Sequence, residues 1–100
     1  MTGSFIQLIQ LTTDRPDAVW AEIDRWLRAT EGRRTVQAAT ICADRGRSDR
    51  YVHIVEFPTV EDAETNARLP ETSALAQKLD QLCEDVVYID LDAVAPLLVS

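Results

Sequence analysis

Lysine is nearly absent from this 100-residue chain: Lys78 stands alone beside nine arginines and 17 acidic residues, and the formal net charge is −7. Phosphate backbones are gripped by clustered Lys and Arg, so this balance argues against nucleic acid as a partner. Arg45, Arg47 and Arg50 are neighbours, but Asp44 and Asp49 lie among them, which makes the segment a solvated turn. An anionic membrane surface is disfavoured on the same ground. Cysteine is scarce too. Cys42 and Cys83 form no CxxC pair and no Cys/His cluster, so no metal site is expected. Three glycines leave no phosphate-cradling loop and no GxSxG elbow. No apolar run approaches the length of a membrane span, and the N-terminus lacks the basic and apolar regions of a signal peptide. The expectation is a cytoplasmic protein with reduced thiols.

What is present suits one small domain, taken here as residues 1–100 with a core over 4–92. Hydrophobic residues make up 46% of the chain, enough for a core and too many for disorder. Residues 4–12 predict a strand, because Phe5 to Leu11 is almost continuously apolar, as in a strand covered on both faces. Residues 14–30 predict a helix. Asp14 is its candidate N-cap and Pro16 fits its first turn, while Val19, Trp20, Ile23, Trp26 and Leu27 make one apolar stripe ending before Gly32. Strands over 35–43 and 50–57 flank the polar turn 44–49 and predict a hairpin. Thr59 opens a second helix with Glu61 and Asp62 in its first turn. Pro70 breaks that helix near Leu69, and a further segment runs to Glu84. Residues 86–91 predict the last strand. The tail 93–100 is apolar and is expected to pack on this subunit or a partner.

The order β-α-β-β-α-β is the ferredoxin-like split motif: an α+β fold with a four-stranded antiparallel sheet and two helices on one face. Strands 1 and 3 carry apolar residues on both faces, so the other sheet face needs cover. A second copy's sheet supplies it most simply, giving a homodimer through sheet faces, a dimeric α+β barrel.

The run Tyr51-Val52-His53-Ile54-Val55-Glu56-Phe57-Pro58, followed by Val60-Glu61-Asp62-Ala63, resembles the antibiotic biosynthesis monooxygenase-like domains of the dimeric α+β barrel superfamily. Leu69-Pro70-Glu71-Thr72 falls where many members carry a Pro-His-Thr-like turn, and the resemblance covers about residues 4–92. Some members oxygenate quinols or aromatic polyketides without a cofactor, and others degrade haem. Haem-degrading members hold iron with a histidine on the second helix. Here that helix offers Asn66 and Glu71, so no cofactor is expected. The resemblance implies a small aromatic or apolar ligand in a pocket between sheet and helices. Polyketide oxygenases bring an Asn, a Trp and a Tyr to that pocket; Asn66 lies in the matching region, with no Trp or Tyr after it.

His53 is the single imidazole and the one side chain whose ordinary pKa lies near neutrality. It is a candidate general base, or else a hydrogen-bonded core or interface histidine. Asn66 is a candidate for polarising a substrate carbonyl, or a local backbone partner. Arg68 could hold an anionic substrate, or pair with Glu64 or Glu71 on the surface. Trp20 and Trp26 lie on the helical stripe as core residues whose edges could wall a pocket. Tyr51 shares a strand face with His53. Gln7 and Gln10 point to opposite faces, and Gln7 shares its face with Phe5, Ile9 and Leu11. Catalysis is thus expected at His53 and Asn66, and substrate contact at Gln7, Trp20, Tyr51 and Arg68. The alternatives are a non-catalytic dimer holding a small ligand in the same pocket, and an accessory dimer whose apolar tail docks on a partner.

Overall fold

The computed structural model describes residues 4–95 and Leu97. The elements run β1 (Phe5–Thr12), α1 (Pro16–Ala29), β2 (Ala38–Ala43), β3 (Arg50–Phe57), α2 (Val60–Ala67), α3 (Pro70–Leu82) and β4 (Asp85–Asp92). The four strands form one sheet in the order β2-β3-β1-β4, and every neighbouring pair is antiparallel. This is the expected ferredoxin-like α+β architecture. No helix among the described residues is long and apolar enough to cross a membrane.

Strand register sorts the side chains. Ile41, His53, Ile9 and Tyr88 lie in one row across the sheet, and Ala39, Val55, Gln7 and Asp90 in the next. Successive side chains alternate between faces, so these rows share a face with Leu11, Phe57 and Phe5. That face meets the helices. Ile9, Leu11, Val55 and Phe57 from the sheet pack with Val19 and Ile23 of α1 and Leu79 of α3, and all seven are buried. Leu11 and Val19 are wholly enclosed, and burying a side chain of this kind stabilises the fold by roughly 1.5–3 kcal/mol. Ile6, Leu8, Val52, Ile54, Val87, Ile89 and Leu91 point the other way. None of these is buried, and Val87 and Leu91 are exposed.

Pro70 divides the second helical region as its ring chemistry requires. Leu69, just before it, is extended (φ −64°, ψ 131°) and separates α2 from α3, the break expected there, so the second helical region covers the sheet as two segments. Thr59 caps α2, its Oγ1 accepting from the Asp62 backbone N–H at 3.1 Å. The start of α1 differs from the expectation. Its N-cap is Arg15 and carries no side-chain cap bond, whereas Asp14 is exposed. The cause is Thr13, whose buried Oγ1 accepts from the Arg15 N–H at 3.0 Å and donates to the Leu82 carbonyl at 2.9 Å, fixing the turn one residue later. Strand β2 begins at Ala38 and not at residue 35, because Thr35 turns aside to donate its hydroxyl to the Asp62 carbonyl. Gly32 adopts φ +79° just past α1, a conformation that suits glycine at a helix end.

Beyond Ala93, whose N–H donates to the Ser4 carbonyl, the described residues of the apolar tail are exposed, Val94 at 89% and Leu97 at 83%. Pro96, Leu98, Val99 and Ser100 of that segment lie outside the described residues.

Candidate functional site

The helices do not fill all the space above the sheet. A cavity of about 520 Å³ lies between them, floored by Ile41, His53, Ile9 and Tyr88 with the Gln7 row beside it. Ile23 and Trp26 of α1 and Leu75, Ala76 and Leu79 of α3 form its roof, and Asn66 enters from α2. A cavity of this size and apolar character suits a small organic molecule held by a few placed polar groups. The Trp26 Nε1–H donates to Thr72 Oγ1 at 3.0 Å and ties α1 to α3 over the cavity. Arg33 pairs with Glu71 and donates to the Ala29 carbonyl, joining the end of α1 to the start of α3. That guanidinium holds the Glu71 carboxyl below its ordinary pKa.

His53 projects from the middle of β3 into this cavity, because its strand parity matches that of the buried Val55 and Phe57. Burial lowers its pKa, so the neutral ring is favoured at neutral pH. No hydrogen bond reaches the ring among the described residues. Asn66 is 7% exposed, and its Oδ1 is buried with no hydrogen-bond partner. A buried acceptor left unpaired costs roughly 1–3 kcal/mol, so the amide stands ready for a donor on a bound molecule. Gln7 donates from Nε2 to Asp90 Oδ1 at 2.9 Å on the same sheet face. Tyr88 faces His53 across Ile9, two strand spacings away or roughly 9–10 Å, and burial raises its hydroxyl pKa.

The structure brings His53, Asn66 and Gln7 together and leaves three expected contacts outside the cavity lining. Trp20 packs edge-on against Tyr51, with ring centroids 5.2 Å apart, at the filled end of the core. Arg68 is exposed beyond the end of α2, and Glu71, one of its two expected partners, pairs with Arg33 instead. Four lining residues carry polar groups that were not expected at the site: Arg34, Thr72, Ser73 and Tyr88. Trp26 is the indole that reaches the cavity. It shares the apolar stripe with Trp20, and the stripe alone does not distinguish them. No cluster of His, Cys, Asp and Glu able to hold a metal ion occurs among the described residues.

The class these features define is a ferredoxin-like α+β domain with a ligand-sized cavity between sheet and helices. No family model and no curated protein matches the sequence. Solved structures do match the fold, that of the antibiotic biosynthesis monooxygenase-like domains. SnoaB, a cofactor-independent oxygenase from Streptomyces nogalater, is 14% identical with a TM-score of 0.79, over 95% of this chain and 97% of its own. A provisionally named antibiotic biosynthesis monooxygenase from Caulobacter crescentus CB15 is 9% identical with a TM-score of 0.79, over 94% and 92% of the two chains. A conserved protein from Methanosarcina mazei Go1 reaches a TM-score of 0.77 at 4% identity, over 90% and 92%. Identities this low carry the fold and no more.

Proposed function

We propose that this protein is a cofactor-independent oxygenase of a small aromatic or quinol compound, acting as a homodimer in the cytoplasm. The observation that carries the reading is the pairing, in one apolar cavity, of a histidine biased to its neutral form with a buried amide oxygen that has no partner. Neutral imidazole accepts a proton from a phenolic O–H. The resulting anion is electron-rich and reacts with dioxygen, forming a carbon–oxygen bond. The O–O bond then breaks, the ring carbon gives up its hydrogen as a proton, and water leaves. A quinol and one dioxygen thus become a hydroxyquinone and one water, and the substrate supplies all the electrons. Asn66 accepts a hydrogen bond from a substrate O–H through Oδ1, or donates one through its NH₂ to polarise a carbonyl. The dimer is supported by the largely apolar sheet face that no helix among the described residues covers, and the reducing compartment by the free thiols of Cys42 and Cys83.

The test is oxygen uptake with 1,4-dihydroxynaphthalene, corrected for its uncatalysed oxidation. The variant His53→Ala/Asn66→Ala is expected to lose about 10²-fold or more of the enzymatic rate. Unchanged turnover by the double variant rules out the assigned roles. The second reading is a non-catalytic protein that holds a small ligand in the same cavity. It is favoured by the absence, among the described residues, of any hydrogen bond orienting the His53 ring as a base. Ligand binding without oxygen uptake above background would select it.

A further inference from the structure

Among the described residues, Arg34 is the one charged side chain in the cavity lining apart from the neutral-biased His53, and no carboxylate lines the cavity. It lies in the connection between α1 and β2 and is half-buried. Its Nη1 donates to the Leu27 carbonyl at 2.6 Å, near the end of α1. A guanidinium has five N–H donors, and no carboxylate pairs with this one among the described residues. The neighbouring arginine differs: Arg33 is committed to Glu71 and the Ala29 carbonyl. In a chain of net charge −7, where acidic residues are plentiful, a cation facing an apolar cavity stands out. A half-buried cation is stabilised most by an anion with hydrogen-bonding oxygens, and guanidinium fits a carboxylate in a two-bond fork. The hydroxyls of Thr72 and Ser73 in the same lining could share such a group.

We infer that the cavity selects aromatic molecules carrying a carboxylate, and that Arg34 is the specificity residue that binds that carboxylate. This rests on the cavity being the ligand site proposed above and narrows its substrate class to aromatic acids. The competing role for Arg34 is structural, as a cap on the last carbonyls of α1. The two roles differ in what they do to charged and uncharged ligands.

The probes are anthracene-2-carboxylate and its methyl ester, which share the tricyclic ring and differ in charge. Dissociation constants are measured by fluorescence at neutral pH, at low and high salt, with wild type, Arg34→Met and Arg34→Lys. The carboxylate should bind wild type about tenfold tighter than the ester, and added salt should weaken the carboxylate alone. Arg34→Met should remove that preference while leaving ester binding within about twofold, and Arg34→Lys should restore part of it. Thermal melts confirm that both variants fold, and Arg34→Lys serves alone if Arg34→Met does not. Equal affinities for the two probes in wild type, or an equal loss of both in Arg34→Met, overturns the specificity role and leaves the cavity as the ligand site. If neither probe binds wild type, the cavity reading falls, and the inference falls with it.

Discussion

The two faces of the sheet are built from the same kinds of residue and meet different fates. On one, Ile9, Leu11, Val55 and Phe57 lie beneath three helices and are buried. On the other, Ile6, Leu8, Val52, Ile54, Ile89 and Leu91 are as apolar, and no helix among the described residues lies above them. Alternation along a strand sets which side chains share a face, but apolar character on both faces does not say what covers each. The covered face is also the incompletely filled one, since the cavity opens between its floor and its helices. The helix side thus combines core and site, and the open side offers a largely apolar surface interrupted by Gln10, Thr40 and Glu56. Contiguous exposed patches of this kind mark interaction surfaces. The proposed homodimer would use this same face on both partners.

The largest effect separates the faces outright. Ile54→Glu puts a carboxylate at the centre of the open face, where a dimer would bury it against its symmetry mate. Its dissociation constant, by sedimentation equilibrium, should rise about 10³-fold or more. A variant that sediments like wild type would take the second sheet away from this face. On the helix side, Leu79→Ala removes a side chain that is only 4% exposed and should destabilise the fold by about 2–5 kcal/mol in urea unfolding. Far less would mean that the neighbouring cavity already leaves α3 loosely packed.

A smaller effect is expected at the roof of the cavity. Trp26→Phe loses the hydrogen bond to Thr72 Oγ1, which should cost about 1 kcal/mol, and a double-mutant cycle with Thr72→Val should recover that coupling. Additive losses would show that the bond holds nothing. The smallest effect is on pH dependence. Burial lowers the folded pKa of His53 below its ordinary 6.5, so the unfolded chain binds that proton more readily. The stability from keeping the ring neutral is present above about 6.5 and is lost as pH falls from there toward the lowered value. Thermal melts of wild type should drop across that window by more than those of His53→Gln. Parallel curves would place His53 in water.

The same two faces show how far sequence carries. Strand parity was legible: counting alone separated Gln7 from Gln10 and grouped His53 with Tyr51, and the proline break at Leu69 followed from ring sterics, but only the strand register puts Gln7 and His53 on the helix face together. The helix stripe was less informative. Trp20 and Trp26 sit on one apolar arc, and only packing against Tyr51 and Thr72 divides them between filled core and cavity. Arg34 was illegible because it lies in an irregular connection, where no periodicity says which way a side chain points. Arg68 was expected at the pocket as a cation for an anionic substrate, yet it ends exposed. The shift in the start of α1 came from Thr13, whose partner Leu82 is remote in sequence.

Isoleucine offers a direct reading of both faces at once. The chain has six: Ile9, Ile23 and Ile41 line the cavity, while Ile6, Ile54 and Ile89 lie on the open face. The decisive measurement is an NMR titration of protein labelled at isoleucine methyl groups with methyl anthracene-2-carboxylate. A cavity that is the ligand site predicts shifts at Ile9, Ile23 and Ile41 and unmoved signals from Ile6, Ile54 and Ile89. Shifts confined to the open face would contradict it and move the site to the other side of the sheet.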